Sequence, residues 1–491
     1  MTEIIVRINH LNLELNSHLL FETDLLEVNS KSRIGLIGAN GSGKSTLARL
    51  INGDLNTYKK FVQFKNKNIK VGYLEQMSDE TNKNFEYNGR LLSELGIPYS
   101  SEQLSGGEIS KLRLLEAFEY NYDLLILDEP TSHLDIEGID FLKQMIHNYE
   151  NAILLISHDR KVLNECVNEI WAIENQSVRI FPGNYDDYIN QKNLEIETLK
   201  HQKLVQDNEI KRLEESIIKA KEHAEKILIG KKGADHRSLP SRATKEKGTV
   251  QKSIMQSAKN MENRIDNMDE IDIPDDRVLP IFTEANIKYD HNNYPIIFNY
   301  FDISVGDRIL VEKINAQIKN GKIVGIKGKN GSGKTTILNT IYEAKINDSS
   351  LITFSKNAKI GFYRQLDYLN FKDNEERLLN YCSKKSSVSK HLLKDMLKDL
   401  NFDEADFERS LSTLSGGEAV RVTLFLTIIS GANILLLDEP TNYLDIDMIK
   451  VLEDYLRSYP GTVILTAHDE QFLNNICDEI YEIQDKKLKL V

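Results

Sequence analysis

Three short motifs occur twice in the chain, in the same order, and this duplication constrains the fold more than any other feature of the sequence. The pairs are GANGSGKST at 38–46 with GKNGSGKTT at 328–336, LSGGE at 104–108 with LSGGE at 414–418, and LDEPTSHLD at 127–135 with LDEPTNYLD at 437–445. Lys44 and Lys334 lie 290 positions apart, whereas Glu129 and Glu439 lie 310 apart. The chain therefore holds two copies of one domain, and the second copy has about 20 extra residues between its early and late motifs.

The two copies occupy residues 1–186 and 281–491, and the segment 187–280 between them has a different pattern. Apolar residues recur there at alternating spacings of three and four, over 189–227 and again over 250–271. Such spacing predicts two coiled-coil helices that form an antiparallel hairpin. A first helix of about 39 residues would be about 58 Å long. The alternative is a single helix, or two helices packed on a domain, and the glycines and proline in the middle of the segment disfavour it.

The predicted tip of the hairpin, residues 229–247, is basic although the whole chain has a formal net charge of -13. An acidic protein repels nucleic acid overall, so contact with nucleic acid requires a local basic surface. The tip offers such a surface for the phosphates of RNA. Its basic candidates are Lys231, Lys232, Arg237, Arg242, Lys245 and Lys247. A solvated charged loop is the alternative interpretation.

Each copy contains the pattern GxxxxGK[ST] directly after an apolar strand, RIGLIG in the first and KIVGIKG in the second. The glycines of this pattern let backbone N–H groups surround phosphate oxygens at the start of a helix, the lysine reaches the outer phosphates, and the hydroxyl binds magnesium. Two matches at corresponding positions argue against chance. The predicted nucleotide-binding residues are Gly38, Asn40, Gly41, Gly43, Lys44, Ser45 and Thr46, and Gly328, Asn330, Gly331, Gly333, Lys334, Thr335 and Thr336.

An apolar run closed by two carboxylates follows in each copy, LLILDE in the first and ILLLDE in the second. A buried strand would place Asp128 and Asp438 at its carboxyl end, where each can orient magnesium and its waters. Glu129 and Glu439 come next and are positioned to polarise or deprotonate the attacking water. We therefore predict that these two glutamates are catalytic.

A histidine and a glutamine in each copy complete the candidates near the phosphates. His158 follows the apolar run AILLIS and His468 follows TVILTA, and both are predicted to contact the γ-phosphate and the attacking water. Gln76 and Gln365 follow short apolar stretches and are expected to complete the magnesium shell. The predicted magnesium ligands are thus Ser45, Gln76, Asp128, Thr335, Gln365 and Asp438.

LSGGE opens a helix with a serine and two glycines, which forms a second anion-binding surface in each copy. Within one copy this surface would duplicate the task of the phosphate loop, so we predict that it acts on the nucleotide of the partner copy. The residues concerned are Ser105, Gly106, Gly107 and Glu108, and Ser415, Gly416, Gly417 and Glu418. A tight turn without a ligand is the alternative, and the recurrence of the motif at the same offset as the acidic motif disfavours it.

Walker A, Q-loop glutamine, LSGGE, Walker B, D-loop and switch histidine follow one another in both copies, and with them the chain resembles the ATP-binding cassette (ABC) superfamily. Two cassettes on one chain with a helical linker resemble the ABC-F family of ribosome-associated ATPases. TKEKGTVQKS, HNNYPII and FPGNYDDY are similar to segments of its Msr group of antibiotic-resistance (ribosomal protection) members. The resemblance implies an α/β fold with two tandem P-loop ABC-type nucleotide-binding domains joined by a long α-helical hairpin linker.

The resemblance also implies a monomer whose two cassettes pair head to tail and close on two ATP molecules with Mg²⁺. Both composite sites contain every motif, so we predict that both hydrolyse ATP. The implied partner is the 70S ribosome, with its rRNA and the P-site tRNA. The closed protein would bind the E site, and its linker would displace the tRNA and a macrolide or streptogramin B drug. Leu239 and Pro240 at the tip would approach the drug.

We expect a cytoplasmic protein that contacts neither a membrane nor DNA. The N-terminus lacks the pattern of a secretory signal, the most apolar window, 422–437, is shorter than the roughly 20 residues of a membrane span, and the three cysteines lack CxxC spacing. Three rival functions stay open: a housekeeping ABC-F translation factor, the soluble ATPase of an ABC transporter, and a DNA-repair ATPase. Neither copy has an unambiguous aromatic residue for stacking on adenine.

Overall fold

A computed structural model describes much of the chain, and all structural statements here concern the described residues. These are residues 3–15, 18–75, 106–132, 134–229, 241–269, 271, 287, 292–306, 308–347, 350–364 and 366–491. The chain divides into two compact units. Met1–Tyr188 and Val278–Val491 form one unit, which holds both cassettes, and Ile189–Arg277 forms the other.

The first cassette is built on a nine-stranded sheet. Its strands are β1 Ile4–Leu15, β2 His18–Asn29, β3 Arg33–Gly38, β4 Val62–Phe64, β5 Val71–Leu74, β6 Leu124–Asp128, β7 Ala152–Ile156, β8 Glu169–Glu174 and β9 Ser177–Pro182. The sheet order is β4-β1-β2-β9-β8-β3-β7-β6-β5. The helices are α1 Lys44–Asn52, α2 Gly106–Glu119, α3 Ile136–Asn148 and α4 Arg160–Cys166, with a 3-10 helix at Asn56–Phe61.

Strands β5, β6, β7, β3 and β8 are adjacent and parallel, and they position the candidate site. Both β6 and β7 are buried along their whole length, which explains their uninterrupted apolar sequences LLIL and AILLI. Because the carboxyl ends of parallel strands meet at one edge of the sheet, the phosphate loop after β3, the carboxylates after β6 and the histidine after β7 come together there.

The second cassette repeats this arrangement with the strands divided among three sheets. Its strands are β10 Ile296–Phe298, β11 Phe301–Val305, β12 Arg308–Ile314, β13 Gln317–Ile318, β14 Ile323–Gly328, β15 Ile352–Phe354, β16 Ile360–Tyr363, β17 Ile434–Asp438, β18 Thr462–Thr466, β19 Glu479–Gln484 and β20 Lys487–Leu490. The sheet orders are β16-β17-β18-β14-β19-β20, β13-β10-β15 and β11-β12. The strands β16, β17, β18, β14 and β19 are parallel neighbours, as in the first cassette.

The helices of the second cassette include a small helical region between β16 and the LSGGE motif. The helices are α7 Lys334–Ile346, α8 Leu378–Lys385, α9 Lys390–Asp399, α10 Gly416–Ile428, α11 Ile446–Ser458 and α12 Glu470–Ile476, with 3-10 helices at Asp367–Phe371, Asp406–Glu408 and Leu411–Thr413. Leu393, Met396 and Phe402 are fully buried in one core cluster with Phe425 of α10. This cluster fastens the helical region to the helix that LSGGE opens.

The hairpin unit is formed mainly by two helices, α5 Tyr185–Ile229 and α6 Ser241–Asp266. The helix α5 has 45 residues and is therefore about 68 Å long. The two helices run antiparallel, because Arg264 pairs with Glu209 at 2.5 Å while Lys221 pairs with Glu262 at 2.7 Å. Small buried residues, Ala224 and Ala258, allow the close approach of the helices.

The helices differ in extent from the sequence-based prediction. The predicted tip spans 229–247, but α6 already begins at Ser241, so Arg242, Lys245 and Lys247 belong to its first two turns. Pro240 immediately before the helix and the good helix formers after it explain the early start. At its other end α6 stops at Asp266, although the apolar pattern continues to residue 271. The remaining tip residues, Lys231, Lys232, Arg237, Leu239 and Pro240, lie outside the described residues.

Within the described ranges, no helix combines the length and the apolar character needed to cross a membrane.

Candidate active site at the cassette interface

The phosphate loops after β3 and β14 have the same backbone conformation. Gly43 and Gly333 immediately precede α1 and α7 with φ of 103° and 108°, a left-handed conformation that disfavours any side chain. At the loop apex, a Cβ added to Gly41 or Gly331 would meet no atom within 4 Å. The loops therefore present open space at the start of a helix, which suits the phosphate oxygens of a nucleotide.

The loop lysines point into the centre of their own loops. The Nζ atom of Lys44 donates to the carbonyl oxygens of Gly38 at 2.7 Å and Ala39 at 3.0 Å. The Nζ atom of Lys334 donates to the carbonyl oxygen of Gly328 at 2.9 Å. Burial lowers the pKa of both ammonium groups, while nearby carboxylates oppose this shift, Glu129 for Lys44 and Glu439 for Lys334. Each loop thus holds a cation where the outer phosphates of a nucleotide would lie.

The two Walker B aspartates end their strands in different hydrogen-bonding environments. Asp438 accepts hydrogen bonds on Oδ1 from Thr335 at 3.0 Å and from Thr466 at 2.8 Å. Asp128 accepts one on Oδ2 from the hydroxyl of Tyr73 at 3.0 Å. Burial raises the pKa of both carboxyls, and the hydroxyl groups beside them oppose the shift. In register, Asp438 pairs with Thr466 and Asp128 pairs with Ile156, which has no hydroxyl.

The glutamates after these aspartates have a strained backbone. Glu129 has φ of 50° and Glu439 has φ of 49°, in the left-handed region that costs a residue other than glycine about 1–3 kcal/mol. The N–H of Glu129 donates to the carbonyl oxygen of Ile156 at 2.9 Å. The N–H of Glu439 is held by Thr466, whose Oγ1 lies at 3.0 Å and whose carbonyl oxygen lies at 3.1 Å. These contacts to the neighbouring strand fix the backbone from which both carboxylates project.

Each switch histidine lies beside the glutamate of its own cassette. The Nε2 atom of His158 is 3.3 Å from Oε1 of Glu129, and His468 and Glu439 repeat this distance. His468 Nε2 also lies 3.1 Å from Nζ of Lys334. Burial, and then the nearby lysine, lowers the pKa of His468 to about 4 and that of His158 well below its ordinary value. Both rings are therefore neutral at pH 7, so Nε2 of His468 accepts from the ammonium.

The glutamates are poised as proton acceptors. Burial raises the pKa of Glu129 to about 8 and that of Glu439 to about 7, against the opposing effect of the loop lysines. A general base works best with a pKa near the working pH, and both carboxyls bind a proton more tightly than an exposed glutamate does while a fraction of each is ionised at pH 7. The pair of glutamate and histidine in each cassette can therefore orient a water and take its proton.

Several buried polar atoms at the site have no hydrogen-bond partner among the described residues. They are Oδ1 of Asp128, Oγ of Ser42 and Ser332, Oε1 of Glu129 and Glu439, and Nδ1 of His158 and His468. Such atoms are costly in a folded protein unless a ligand engages them. A nucleotide triphosphate with Mg²⁺ offers the matching chemistry, since hard carboxylate and hydroxyl oxygens are the ligands that Mg²⁺ prefers. The residues present thus fit both groups.

The second LSGGE motif lies against the first phosphate loop. A Cβ added to Gly417 would be 3.6 Å from Nδ2 of Asn40. Ser415 caps α10 by accepting from the N–H of Glu418 at 3.3 Å, and the Glu418 carboxylate accepts from the Ser415 N–H at 2.6 Å. This capping box fixes the serine hydroxyl at a helix N-terminus. Residues from both cassettes, among them Gly41 and Ser415, line one cavity of about 1420 Å³.

The aspartates that close the D-loops connect the two cassettes. Asp445 accepts on Oδ2 from the N–H of Asn40 at 2.9 Å and on Oδ1 from Met448, whose helix it caps. Asp135 contacts Asn330 in the reciprocal way, at the longer distance of 3.5 Å. These aspartates were not among the residues predicted from the sequence to bind the nucleotide, although their position directly before a helix is a recognisable capping signal. Tyr73 and Thr466 belong to no motif, so the sequence gives no signal for their role.

The remaining candidates are only partly described. Gln76, Gln365 and Ser105 lie outside the described residues, and Gly106 and Gly107 are the first residues of α2. Glu108 is in the first turn of α2, as Glu418 is in α10. Thr46 and Thr336 are in the first turns of α1 and α7, directly after Ser45 and Thr335.

Comparison with known proteins agrees with this geometry. The ABC transporter family matches residues 22–132 and 311–442, and a second family profile, also described as ABC transporter, matches residues 171–281. Two tandem ABC cassettes thus define the class of protein. The erythromycin resistance ATP-binding protein MsrA of Staphylococcus epidermidis is 33% identical over 99% of this chain and 99% of its own length. The ribosome protection protein VmlR of Bacillus subtilis is 30% identical over 96% of this chain and 85% of its own length.

The chain therefore belongs to the ABC-F family of ATPases and hydrolyses ATP. One solved structure that resembles the chain is more distant in sequence. The archaeal ribosome recycling factor aABCE1, in its complex with the ribosomal stalk protein aP1, superposes with a TM-score of 0.62 at 20% identity. That match covers 97% of this chain and 86% of aABCE1, and it supports the tandem-cassette fold.

Proposed function

We propose that the chain is a ribosome-protection ATPase that binds the 70S ribosome in its ATP-bound form and thereby confers antibiotic resistance. The observation that carries this proposal is the 33% identity to an erythromycin resistance protein along the full length of both chains. Because the match includes the hairpin as well as the cassettes, we extend the role of that relative to the whole chain.

In the proposed cycle, two ATP molecules lie between the cassettes. At the first site Lys44, Ser45, Asp128, Glu129 and His158 would hold the phosphates, and Ser415 and Gly417 would complete the site from the other cassette. At the second site the equivalent group is Lys334, Thr335, Asp438, Glu439 and His468, with Ser105 and Gly107. Bound Mg²⁺ would neutralise phosphate charge. The serine hydroxyls and the D-loop aspartates would join the two cassettes at each site.

The closed protein would bind the ribosomal E site through its hairpin. The α5 length of about 68 Å is sufficient for the basic tip to reach deep into a large ribonucleoprotein. There the lysines and arginines would meet rRNA and P-site tRNA phosphates, and a macrolide or streptogramin B drug would be displaced. Water attack assisted by Glu129 and Glu439 would then reopen the cassettes and release the protein. Binding energy protects the ribosome in this scheme, and hydrolysis resets the cycle.

Cosedimentation with 70S ribosomes tests the first half of this proposal. The Glu129→Gln, Glu439→Gln double variant should pellet with ribosomes when ATP is present and stay in the supernatant without it. A variant whose residues 229–247 are replaced by glycine and serine is the matched control. It should lose drug displacement, which is measured as release of the drug from ribosomes. Ribosome binding that ignores ATP, or no binding at all, would overturn the proposal.

A housekeeping translation factor is the second candidate, because relatives without a resistance name also match nearly the whole chain. The probable ATP-binding protein YbiT of Escherichia coli is 27% identical over 98% of this chain and 96% of its own length. Expression in a susceptible host separates the two functions. A rise in the inhibitory concentration of erythromycin supports resistance, whereas unchanged susceptibility with ATP-dependent ribosome binding supports the housekeeping role.

A further inference from the structure

Two ion pairs join the cassettes outside the phosphate loops, and together they form a seam between α4 of the first cassette and α11 and α12 of the second. Arg160, the first residue of α4, pairs through Nη1 with Oε1 of Glu453 on α11 of the other cassette, at 3.0 Å. Both side chains are almost wholly buried, with 5% and 6% of their surface exposed. The second guanidinium nitrogen lies 3.4 Å from the carbonyl oxygen of Ile446. This is a desolvated charge pair between two domains, and its geometry must be satisfied for the cassettes to fit.

A second, more exposed pair lies beside the first. Lys161 of α4 and Glu470, the first residue of α12, approach to 2.9 Å. The first cassette therefore contributes two cations in succession at the start of α4, and the second contributes the carboxylates of Glu453 and Glu470. Both of these contacts across the seam therefore join opposite charges.

The internal repeat shows what the same surfaces would do in other combinations. At the offset of 310 that relates the late motifs, Arg160 corresponds to Glu470 and Lys143 corresponds to Glu453. Two first cassettes placed together in this way would bring Arg160 against Lys143. Two second cassettes would bring Glu470 against Glu453. Both like pairings bury charges of the same sign, and only the unlike pairing matches opposite charges.

The reciprocal side of the seam fits the same interpretation. Lys143 is the residue equivalent to Glu453. It pairs within its own cassette, with Asp140 at 2.6 Å and with Glu165 at 3.0 Å. Among the described residues, the position related to Arg160 and Glu453 by the pseudo-two-fold axis therefore lacks an equally buried ion pair between the cassettes. The asymmetry makes the contact specific for one cassette in each role.

We propose that Arg160 and Glu453, supported by Lys161 and Glu470, form a pairing code that selects contact between unlike cassettes and rejects contact between like cassettes. The partner that this surface of the first cassette recognises is the acidic face of α11 and α12 in the second cassette. The code favours closure of the chain on itself over association with the same cassette of a second copy. Because Arg160 lies two residues after His158, the contact also positions the switch histidine when the cassettes close.

The test uses the full-length chain and a nucleotide that cannot be hydrolysed. Radiolabelled β,γ-imido-ATP is bound, and the fraction retained by the protein after rapid gel filtration is measured, since retention requires closed cassettes. We expect Arg160→Met to lower retention about tenfold, because the buried Glu453 would lose its nearest cation and keep only Arg457, at 3.6 Å. Arg160→Glu should lower it further, because it reproduces the carboxylate pair of two second cassettes.

Restoring opposite charges gives the decisive result. Glu453→Lys introduces the residue found at the equivalent position 143, and combined with Arg160→Glu it should raise retention at least fivefold above Arg160→Glu alone. A double variant no better than that single variant would overturn the pairing code. So would an Arg160→Glu variant that retains as much nucleotide as Arg160→Met.

A matched control separates pairing from general charge effects. Arg377 pairs with Glu408 on the surface of the second cassette, where each side chain is 63% exposed, and Arg377→Glu should leave retention within twofold of the parent chain. Thermal unfolding without nucleotide checks that each variant folds. If Arg160→Glu does not fold, Glu453→Gln is compared with Arg160→Met, Glu453→Gln. The double variant leaves no buried charge unpaired and should retain more nucleotide, and the opposite order would overturn the proposal.

Discussion

The two nucleotide sites have nearly identical phosphate loops, yet they hold their Walker B aspartates with hydroxyls from opposite sides. In the second cassette the hydroxyl comes from Thr466 on β18, and in the first it comes from Tyr73 on β5. The equivalent residues in the other cassette, Ile156 and Phe362, have no hydroxyl. Each buried carboxylate needs a polar partner. The two cassettes thus take that partner from different neighbouring strands.

The exchange has a consequence for how tightly each site is built. Thr466 donates to Asp438 and accepts from the N–H of Glu439, so one hydroxyl links the carboxylate next to the phosphate loop to the backbone of the proposed general base. Tyr73 contacts Asp128, and the N–H of Glu129 depends on the carbonyl oxygen of Ile156. We therefore expect the second site to lose more than the first when its hydroxyl is removed.

The largest effect should come from removing both glutamates. Glu129→Gln with Glu439→Gln removes the carboxylate that takes the proton of the attacking water, and the ATP turnover rate should fall at least about 100-fold. Each single variant should keep roughly half of the turnover if the sites are equivalent. Steady-state phosphate release measures both. A single variant with an unchanged rate would show that its site does not contribute, and a double variant with normal turnover would refute the assignment.

Thr466→Val should have the next largest effect. The change keeps the shape of the side chain but removes a buried hydrogen bond from Asp438 and another from the N–H of Glu439, and turnover at the second site should fall about tenfold, or about 1.4 kcal/mol. Phosphate release is measured in a Glu129→Gln background, so that the second site alone reports. A binding titration with Mn²⁺, followed by electron paramagnetic resonance, should show weakened metal binding. Unchanged Mn²⁺ affinity would contradict the proposed role of the hydroxyl.

Tyr73→Phe should have a smaller effect, and it permits a transplant. Removing the phenol hydroxyl should lower turnover about threefold in a Glu439→Gln background, about 0.7 kcal/mol, because only the contact to Asp128 is lost. Adding Ile156→Thr places a hydroxyl where the second cassette has Thr466, and it should restore the rate. Failure of this transplant would mean that the sites differ by more than the origin of one hydroxyl.

The smallest effect concerns stability and pH. Burial raises the pKa of Glu129 to about 8 and that of Glu439 to about 7, from an ordinary value of 4.5. The unfolded chain loses these protons first, so the stability that they provide is present below pH 4.5 and is lost as the pH rises to 8. Glutamine does not titrate.

The difference between the Tm of the double glutamine variant and that of the wild type, both measured without nucleotide, should therefore increase from pH 5 to pH 8 in favour of the variant. The advantage should grow steadily across this range, because each pH unit at which the unfolded chain has lost a proton that the folded chain keeps costs about 1.4 kcal/mol. Glu408→Gln, an exposed site, is the control and should show no such trend. A constant difference across this pH range would contradict the proposed burial of the two carboxyls.

Much of the fold could be predicted because its signals are local. The glycines of the loops need a left-handed backbone at Gly43 and Gly333, the run LLIL must be buried on both faces, and the alternating apolar spacing of 189–227 suits a helix. Each of these requirements acts within a few residues of the chain. The start of α6 does not follow from the apolar pattern, because Pro240 and the residues after it favour a helix start that this pattern does not reveal.

The sequence by itself determined that the chain has two cassettes, which residues could meet phosphate, and that a helical segment lies between them. Tertiary structure alone decided which hydroxyl holds each aspartate, that Asp445 meets the N–H of Asn40, and that Arg160 finds Glu453 across the interface. The physical reason is distance along the chain. A motif records the backbone conformation and chemistry of adjacent residues, whereas these contacts join residues up to 405 positions apart, and only the packing of strands and cassettes brings them within hydrogen-bond reach.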